Sequence, residues 1–358
     1  MSANGYIFAA LSAFAISFLI VPLTAKLAYK IGAVDKPSAR KVHLGLMPRL
    51  GGLGIFLSFT ITALIFLETN GPILGMLIGA CVIVVVGVLD DIYQLPPVIK
   101  LIGQSVAAII VMSFGVMVHF LTNPFSGMFW LGLLSIPVTF LWIVGVTNAV
   151  NLIDGLDGLA AGVSSIAGLT MGVVALLTGA NEIALAAFIL VAAILGFIPY
   201  NFYPARTFMV DNGSNLLGFL LSCLAILGAV KSTAVLSLFI PIVILAIPII
   251  DTFFAIIRRI NKKTHIFRPD KNHIHHRLMA MGLSHRGSVI SIYIISAFFG
   301  LSACICTFLS GSKATLLLVF LILAIALGAD YIGLFSGANK TKKSFSAKSP
   351  TSDRKAPL

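Results

Sequence analysis

Long apolar stretches separated by short polar segments dominate the pattern of side chains along this chain. Eleven of them approach the length of about 20 residues that a helix needs to cross a bilayer. They lie at roughly 5–26, 51–68, 73–89, 98–117, 130–147, 159–178, 183–200, 214–230, 233–257, 288–310 and 314–333. The stretch from Thr233 to Ile257 is almost continuously apolar, whereas strands of a membrane barrel alternate over about ten residues. The pattern predicts an all-α, polytopic integral membrane protein with about 11 transmembrane helices.

Composition strengthens this prediction. The chain is 59% hydrophobic and 10% charged, and its mean hydropathy is +1.06, whereas soluble domains are about 25% charged. Between Gly51 and Ile99 the only charged residues are Glu68, Asp90 and Asp91. So few charges cannot cover a water-soluble globule. We therefore expect the lipid bilayer to be the solvent of most of the chain.

The distribution of basic residues predicts the orientation. If the amino terminus is outside, the inner segments and the tail hold 22 of the 24 Lys and Arg residues, and only Lys231 and Lys313 lie outside. An excess of Lys and Arg marks the cytoplasmic side of a membrane protein. The carboxyl terminus is then cytoplasmic. The net charge of +12 reflects topology and attraction to anionic lipids, so no nucleic-acid partner is expected.

The domain organisation follows from where the polar residues lie. Outer connections are too short for a receptor or an adhesin, whereas the inner loops at 30–50 and 258–288 are long and polar. Residues 1–333 are predicted to form a single transmembrane helical domain with an active site on its cytoplasmic face. Residues 334–358, rich in Lys and Ser, are expected to be a basic, disordered tail.

Acidic residues are the anomaly in this composition. Seven of the twelve Asp and Glu lie near the predicted inner ends of spans, namely Asp90, Asp91, Asp154, Asp157, Asp211, Asp251 and Asp330. A carboxylate at membrane depth is costly and is a functional candidate by default. Asp90 and Asp91 point about 100° apart on a helix, so one can hold a metal while the other serves chemistry or capping. A solvated helix end is the alternative, and Asp251 and Asp330 are assigned no role.

A polar stripe ends the fifth apolar stretch. Its members recur every three residues, which places them on one face of a helix, and they are Asn148, Asn151, Asp154 and Asp157. Gly155 and Gly158 interrupt the segment and let the backbone approach a ligand. Asp211 precedes the eighth stretch, either as an ordinary helix cap or as a carboxylate beside the positive end of a helix. Packing alone does not explain such a stripe.

Histidines and basic residues are concentrated in the inner loops. The later loop contains His273, His275 and His276 together with Arg258, Arg259, Lys262, Lys263, Arg268, Lys271 and Arg277. The earlier loop contains Lys36, Arg40, Lys41, His43 and Arg49. Such cations suit polyanionic phosphates. A zinc site lacks a soft fourth ligand, and a loop that only sets topology is the remaining alternative.

Carboxylates beside cationic loops predict a metal-assisted reaction on phosphates. Carboxylates do not bind phosphates directly, and Mg²⁺ commonly uses one or two carboxylates plus substrate phosphates. The predicted chemistry is phosphoryl transfer between a cytosolic and a membrane substrate. A cation-coupled transporter, the main alternative from another class, would distribute its acids along a path through the membrane. A scaffold would not need the polar stripe.

Several motifs resemble one known superfamily. They occupy 31–43, 48–52, Asp90-Asp91, 148–158, 208–214 and 273–276. In this order they are similar to the polyprenyl-phosphate N-acetylhexosamine-1-phosphate transferases (glycosyltransferase 4, MraY-like), over residues 30 to 288. The His-Ile-His-His-Arg-Leu run at 273–278 resembles the branch that uses UDP-GlcNAc (WecA/TagO type). The muramoyl-pentapeptide branch has a different, proline-containing run of histidines.

The resemblance implies an activity. Such an enzyme transfers GlcNAc-1-phosphate from UDP-GlcNAc to undecaprenyl phosphate, giving undecaprenyl-pyrophosphoryl-GlcNAc and UMP. The implied cofactor is Mg²⁺, with Mn²⁺ as a substitute. The implied location is a bacterial cell membrane, and a homodimer is compatible with the resemblance. The product begins an envelope polymer such as the wall teichoic acid linkage unit. Phospho-MurNAc-pentapeptide transfer is the alternative within the superfamily.

The resemblance also implies roles for single residues. At the Asp90-Asp91 pair the lipid phosphate and the metal meet, with Asp90 favoured as the proton acceptor. Asp211 is the main Mg²⁺ ligand with Asp91 nearby, and His273 is catalytic. The implied substrate-binding residues are Asn148, Asn151, Asp154, Asp157, Arg40, Lys41, His43, His275, His276 and Arg277. A lysine that the muramoyl branch has before its Gly-Gly is absent, and Arg40, Lys41 or Arg49 can supply that charge.

Overall fold

The computed structural model describes residues 3–35, 45–122, 128–230, 239–264, 270, 272–309 and 311–333. Within these ranges the chain is almost entirely helical. The helices are α1 (Ala3–Ile31), α2 (Gly51–Phe66), α3 (Gly71–Tyr93), α4 (Pro97–Ser113), α5 (Ser135–Ile153), α6 (Leu159–Leu177), α7 (Asn181–Asn201), α8 (Val210–Val230), α9 (Phe239–Ile244), α10 (Ala246–Asn261), α11 (Ile274–Ala280), α12 (His285–Cys306) and α13 (Gly311–Tyr331). The prediction of an all-α, polytopic membrane protein is confirmed.

Two short antiparallel hairpins are the only strands among the described residues. One pairs β1 (Val34–Asp35) with β2 (Met47–Pro48), and the other pairs β3 (Phe120–Thr122) with β4 (Met128–Trp130). The predicted tail, 334–358, lies outside the described residues.

The number of membrane spans differs from the predicted eleven. Eight of the described helices are long and apolar enough to cross a membrane, namely α1, α3, α5, α6, α7, α8, α12 and α13. The predicted stretches at 51–68 and 98–117 correspond to α2 and α4, which are apolar but have only 16 and 17 residues. Ten of the eleven predicted stretches thus correspond to one helix each.

The predicted stretch at 233–257 is not one helix, and that prediction is wrong. α9 ends at Ile244 and α10 begins at Ala246. Pro248 has no N–H to donate to the carbonyl of Ile244, and a proline ring crowds the carbonyl four residues before it. Helical hydrogen bonds flank the break, from the Leu245 amide to Pro241 at 2.9 Å and from the Ile249 amide to Leu245 at 3.1 Å. The break makes α10 a separate helix.

Close helix crossings bring the amino end of α8 against α2 and α3. A Cβ atom on Gly52 would lie 2.2 Å from Asn212 Oδ1, and one on Gly87 would lie 2.4 Å from Asn212 Cα. Only glycine fits at such distances, and small residues allow membrane helices to approach each other. The crossing therefore places the start of α8, with Asp211, beside the end of α3, with Asp90 and Asp91.

Helix ends that meet in this way form what we call the polar end of the bundle. The amide of Gly51 donates to Phe208 O at 3.1 Å, and the amide of Gly158 donates to Asn201 Oδ1 at 3.1 Å. Except for Lys313, each Lys and Arg among the described residues lies at or near this end. The acidic candidates and most of the described positive charge therefore occupy the same end of the molecule.

Candidate active site

Two carboxylates at the polar end share one lysine. Asp90 lies near the end of α3 and Asp211 in the first turn of α8. Lys100 Nζ, from α4, is 3.3 Å from Asp90 Oδ2 and 2.7 Å from Asp211 Oδ2. Lys100 was missed from the sequence because only the basic residues of the two long inner loops were considered as phosphate-binding candidates. A lone lysine inside an apolar stretch is as costly as an acid there, and that signal could have identified it.

Side-chain amides hold Asp211 from behind. Asn151 Nδ2 donates to Asp211 Oδ1 at 3.1 Å, and Asn215 Nδ2 donates to the Asp211 backbone carbonyl at 2.9 Å. Gln104 Nε2 donates to Asn215 Oδ1 at 3.0 Å, and Asn148 Nδ2 donates to Gln104 Oε1 at 2.6 Å. Because each amide is fixed by the next one, the carboxylate of Asp211 is oriented by a network. Asn148 and Asn151, both predicted to bind substrate, belong to it.

Asp91 faces away from Lys100. It accepts a hydrogen bond from Asn212 Nδ2, and Arg49 NH2 lies 3.6 Å from its Oδ1. That Oδ1 is buried and has no hydrogen-bond partner among the described residues. The two neighbouring aspartates thus point in different directions, as the helix geometry predicted. Whether Asp91 is a metal ligand remains a prediction.

The polar stripe is not continuously helical, which corrects the sequence prediction. α5 ends at Ile153, so the two asparagines of the stripe are helical whereas Asp154 and Asp157 lie in the following loop. Gly158, at the end of this loop, has a φ of +78°. Glycine adopts this left-handed conformation without steric cost. The loop therefore turns the chain before α6 begins at Leu159.

The two aspartates of this loop have different surroundings. Asp157 Oδ2 accepts a hydrogen bond from the Ala205 amide at 3.0 Å and so ties the loop to the segment after α7. Asp154 is partly buried, and burial together with the negative charges of Asp211 and Asp157 raises its pKa to about 7. A carboxyl group with this pKa is partly protonated at neutral pH. Asp154, Asp157 and Asp211 thus lie close enough together for their negative charges to oppose one another.

Two cavities meet at the carboxylate cluster. One, of about 300 Å³, has a largely polar lining that includes Asp35, Arg49, Asp154, Asp157 and Asn201. The other, of about 410 Å³, is lined by Lys100, Arg259 and His273 and by the apolar side chains of Leu101, Leu152 and Ile256. Asn151 and Asp211 line both. A polar ligand and a partly apolar ligand can therefore approach the same carboxylate from different sides.

His273 is held by an aspartate that the sequence analysis left without a role. Its Nδ1 lies 2.8 Å from Asp251 Oδ2, and the Ile274 amide donates to Asp251 Oδ1 at 2.9 Å. Asp251, from α10, is 1% exposed. The rule that marks acids within apolar stretches as functional candidates applied to Asp251 as much as to the others.

The other two histidines pack on each other. The His275 and His276 ring centroids are 4.2 Å apart. A Cβ atom on Gly155 would lie 2.5 Å from His275 Nε2, so this glycine makes room for a protein side chain, not only for a ligand. Burial lowers the pKa of His275 to about 4. Its ring is therefore neutral at pH 7, and a predicted contact with a phosphate would be that of a neutral ring.

Arg277 is directed at the end of α13. One of its nitrogens, NH1, donates to the carbonyl of Ile332 at 3.3 Å and to that of Gly333, and its Nε donates to Asn272 O at 3.3 Å. Neither cavity is lined by Arg277. These contacts connect α11 to the last helix, and the predicted contact with substrate is not among them.

Of the basic residues proposed to replace the missing lysine, Arg49 lies within the described residues. It lines the polar cavity and faces Asp91. Arg40 and Lys41, like His43, were predicted to bind substrate and lie outside the described residues.

The donor set fits a magnesium ion better than a zinc ion. Within the described ranges, no three His, Cys, Asp or Glu side chains converge to form a complete metal site. Asp90 and Asp211 offer carboxylate oxygens at one place, and Asn151 donates from its Nδ2 to Asp211. Mg²⁺ prefers carboxylate oxygens and obtains its other ligands from phosphates and water. The two carboxylates therefore fit a hard divalent cation.

The geometry so far defines a class of protein, a helical membrane bundle with a charged cluster beside two cavities at one end. Comparison with known proteins narrows the class. The family model described as glycosyl transferase family 4 matches residues 73–229, which include Asp90, Lys100, Asn151 and Asp211. The chain belongs to this family, as the sequence motifs predicted, and it is a transferase.

Relatives match most of the chain. The "probable undecaprenyl-phosphate N-acetylglucosaminyl 1-phosphate transferase" of Bacillus subtilis (strain 168) is 47% identical over 320 residues, 88% of this chain and 89% of the relative. The "decaprenyl-phosphate N-acetylglucosaminephosphotransferase" of Mycobacterium tuberculosis (strain ATCC 25618 / H37Rv) is 36% identical over 301 residues, 75% of this chain and 74% of the relative. The "undecaprenyl-phosphate alpha-N-acetylglucosaminyl 1-phosphate transferase" of Escherichia coli (strain K12) is 30% identical and covers 80% of each chain.

Proposed function

We propose that this chain transfers GlcNAc-1-phosphate from UDP-GlcNAc to undecaprenyl phosphate and releases UMP. The observation that carries the proposal is that a polar cavity and a partly apolar cavity share Asn151 and Asp211. A nucleotide sugar suits the first cavity and a lipid phosphate the second. Relatives named for undecaprenyl phosphate and N-acetylglucosaminyl 1-phosphate support this choice of substrates. Their phosphates then meet beside Asp211.

In this proposal the site accelerates the reaction mainly by positioning the substrates and neutralising their charge. Phosphoryl transfer depends mainly on holding the reacting groups in line and neutralising charge. Lys100, fixed between Asp90 and Asp211, supplies a positive charge where the two phosphates meet. Asp90 accepts a proton from the lipid phosphate. The second pKa of a phosphate is about 6, so at neutral pH this contribution is small.

Mg²⁺ is the proposed cofactor, and Mn²⁺ is a proposed substitute. Asp211 would hold it as the main ligand, with Asp91 nearby and Asn151 beside it. When bound, the ion supplies positive charge to the phosphates. The charges at the site support this cofactor, because the cations Lys100, Arg49 and Arg259 are fewer than the carboxylates, namely Asp90, Asp91, Asp154, Asp157 and Asp211. Two substrates that bring about four more negative charges cannot bind there without further cations.

We further propose that the polar end faces the cytoplasm of a bacterial cell. Its excess of Lys and Arg supports this orientation. The lipid-linked product is suited to begin an envelope polymer, such as the wall teichoic acid linkage unit. In a cysteine-free variant, a cysteine placed at Gly311 should react with a membrane-impermeant reagent in intact cells, whereas one at Ser346 should not. The opposite pattern would reverse the orientation.

The activity is tested with the purified protein in detergent or nanodiscs. We expect labelled UMP to be released from UDP-GlcNAc only when undecaprenyl phosphate and Mg²⁺ are both present, and chelation with EDTA should stop it. UDP-MurNAc-pentapeptide should not be a substrate. Release of UMP from that pentapeptide substrate alone would assign the chain to the muramoyl branch, and release without any added metal would contradict the proposed cofactor.

A further inference from the structure

Asp251 uses both of its carboxylate oxygens on the start of the histidine segment. Oδ2 lies 2.8 Å from His273 Nδ1, and Oδ1 accepts the backbone amide of Ile274 at 2.9 Å. The pair is buried, since Asp251 is 1% and His273 6% exposed. A buried ionised carboxylate accepts hydrogen bonds and does not donate them, so the proton between the two side chains belongs to Nδ1. The contact fixes both the tautomer and the plane of the ring.

The fixed ring faces the partly apolar cavity. His273 lines this cavity together with Lys100 and Asp211. Because Nδ1 is occupied by Asp251, Nε2 is the ring nitrogen that remains for a ligand. A carboxylate on the far nitrogen of a histidine orients the ring and stabilises its positive form, in catalytic triads as well as in metal sites.

We propose that Asp251 is a positioning residue of the transferase, which holds His273 with Nε2 towards a phosphate oxygen of the bound substrates, so that the positively charged ring donates one hydrogen bond to Asp251 and the other to the phosphate. This inference rests on the proposed function, because it takes the cavity ligand to be a phosphate. Asp251 itself does not touch the substrate. Its effect on the reaction passes through His273.

Other charged groups surround the same ring and have to be kept constant in a test. Lys100 and Asp211 lie across the cavity, on α4 and α8, and Arg259 and Asp270 also line it. On the segment of His273 itself, the His275 ring is parallel to the His273 ring, with centroids 5.9 Å apart. Only Asp251 is within hydrogen-bond distance of Nδ1 among the described residues. Exchanging Asp251 for asparagine changes this one contact while keeping its size.

A double-mutant cycle separates positioning from a merely structural role. Asp251→Asn should lower turnover with UDP-GlcNAc and undecaprenyl phosphate by about 10- to 100-fold. In a His273→Ala background the same exchange should lower turnover by less than about twofold, because residues that act as a unit are not additive. Asp330→Asn removes another lone acid, exposed at the end of α13, and should leave turnover unchanged. An equal loss in both backgrounds would overturn the inference.

A second measurement does not depend on activity. The ¹⁵N spectrum of histidine-labelled protein in bilayers reports which ring nitrogen carries the proton, and His273→Gln identifies the signal. We expect a protonated Nδ1 for His273 at pH 8. An unprotonated Nδ1 would refute the inference even if the enzyme is active. If the unmodified chain releases no UMP, the proposed function fails, and the spectrum still decides whether Asp251 fixes the ring.

Discussion

The carboxylate cluster and the histidine segment line the same cavity but are supported in different ways. Asp90 and Asp211 lie on α3 and α8, two long helices, and α8 is buried along nearly its whole length. His273 precedes α11, a helix of only seven residues. Packing of long helices therefore fixes the backbone of the first group, whereas a few polar contacts hold the segment of the second.

One of those polar contacts is a partly buried ion pair. Arg258 Nη2 lies 2.7 Å from Asp270 Oδ2. Burial opposes ionisation of Asp270, but hydrogen bonds from Arg258 and Asn272 outweigh it and lower the pKa of Asp270 to about 2. Together with Asp251 this pair connects α10 to the histidine segment. The half of the site with Asp90 and Asp211 is thus held by helix packing, and the half with His273 is held by charged contacts. Single polar exchanges should therefore affect the two halves differently.

The largest effect is expected in the half that is held by packing. Asp211→Asn keeps the size of the side chain but removes the charge that faces Lys100 and the proposed ion. We expect UMP release to fall by about three decades, while the melting temperature changes little because α8 remains packed. Turnover and thermal unfolding are measured on the same preparation, with Asp330→Asn as the control. Near-normal turnover would move the proposed ion away from Asp211, most simply to Asp91.

A smaller loss is expected in the half that is held by charge. His273→Ala should lower turnover by about two decades, the range typical of losing one electrostatic or acid–base group. Binding of undecaprenyl phosphate should change much less, because the prenyl chain contacts apolar helix surfaces. Both quantities can be measured with labelled lipid and labelled UDP-GlcNAc. Unchanged turnover would mean that the histidine segment only contributes to topology.

The pH dependence of stability should have opposite signs in the two halves. The pKa of Asp154 is raised from 3.8 to about 7, so between these values the folded protein holds a proton that the unfolded chain has lost. Its contribution to stability therefore decreases as the pH rises through this window. Asp154→Asn should be the more stable protein above pH 7, and the difference should vanish near pH 4.

Asp270 provides the contrast for this experiment. Its pKa is lowered from 3.8 to about 2, so its stabilising contribution is present above pH 4 and is lost as the pH falls towards 2. Asp270→Asn should therefore be less stable than the unmodified protein at pH 7. Thermal unfolding in detergent between pH 2 and pH 8 measures both variants. If the stability differences of the two variants from the unmodified protein changed with pH in the same way, the predicted contrast between the halves would be wrong.

Much of the fold was predictable because membrane helices are local. Each long apolar stretch is one hydrogen-bonded unit in the bilayer, and all but one of the predicted stretches correspond to single helices. The exception was also visible locally, since Pro248 explains the break before α10. The end of α5 was likewise marked by Gly155 and Gly158. These glycines were interpreted as room for a ligand, and the helix was still expected to continue through Asp157.

The pairing of charges was not predictable in the same way. Lys100 and Asp211 are 111 positions apart in the chain, and Asp251 and His273 are 22 apart. Spacing along one helix identified the carboxylates as unusual, but which cation neutralises which acid depends on how helices pack. The motifs therefore pointed to carboxylates and amides that the structure brings together, whereas the partners of Lys100 and Asp251 required the structure.

The smallest effect on turnover is expected at Arg277, although it lies only four residues after His273. Its guanidinium donates to the carbonyls of Ile332 and Gly333, which directly follow α13, where a positive charge also interacts favourably with the helix dipole. Arg277→Ala should therefore change turnover by less than about threefold and should increase hydrogen exchange of the last turn of α13. Arg277→Lys, which keeps the charge, should restore part of the protection. A loss of turnover as large as that of His273→Ala, with unchanged exchange in α13, would give Arg277 the substrate contact that the sequence predicted and would extend the charge-held half of the site by one turn of α11.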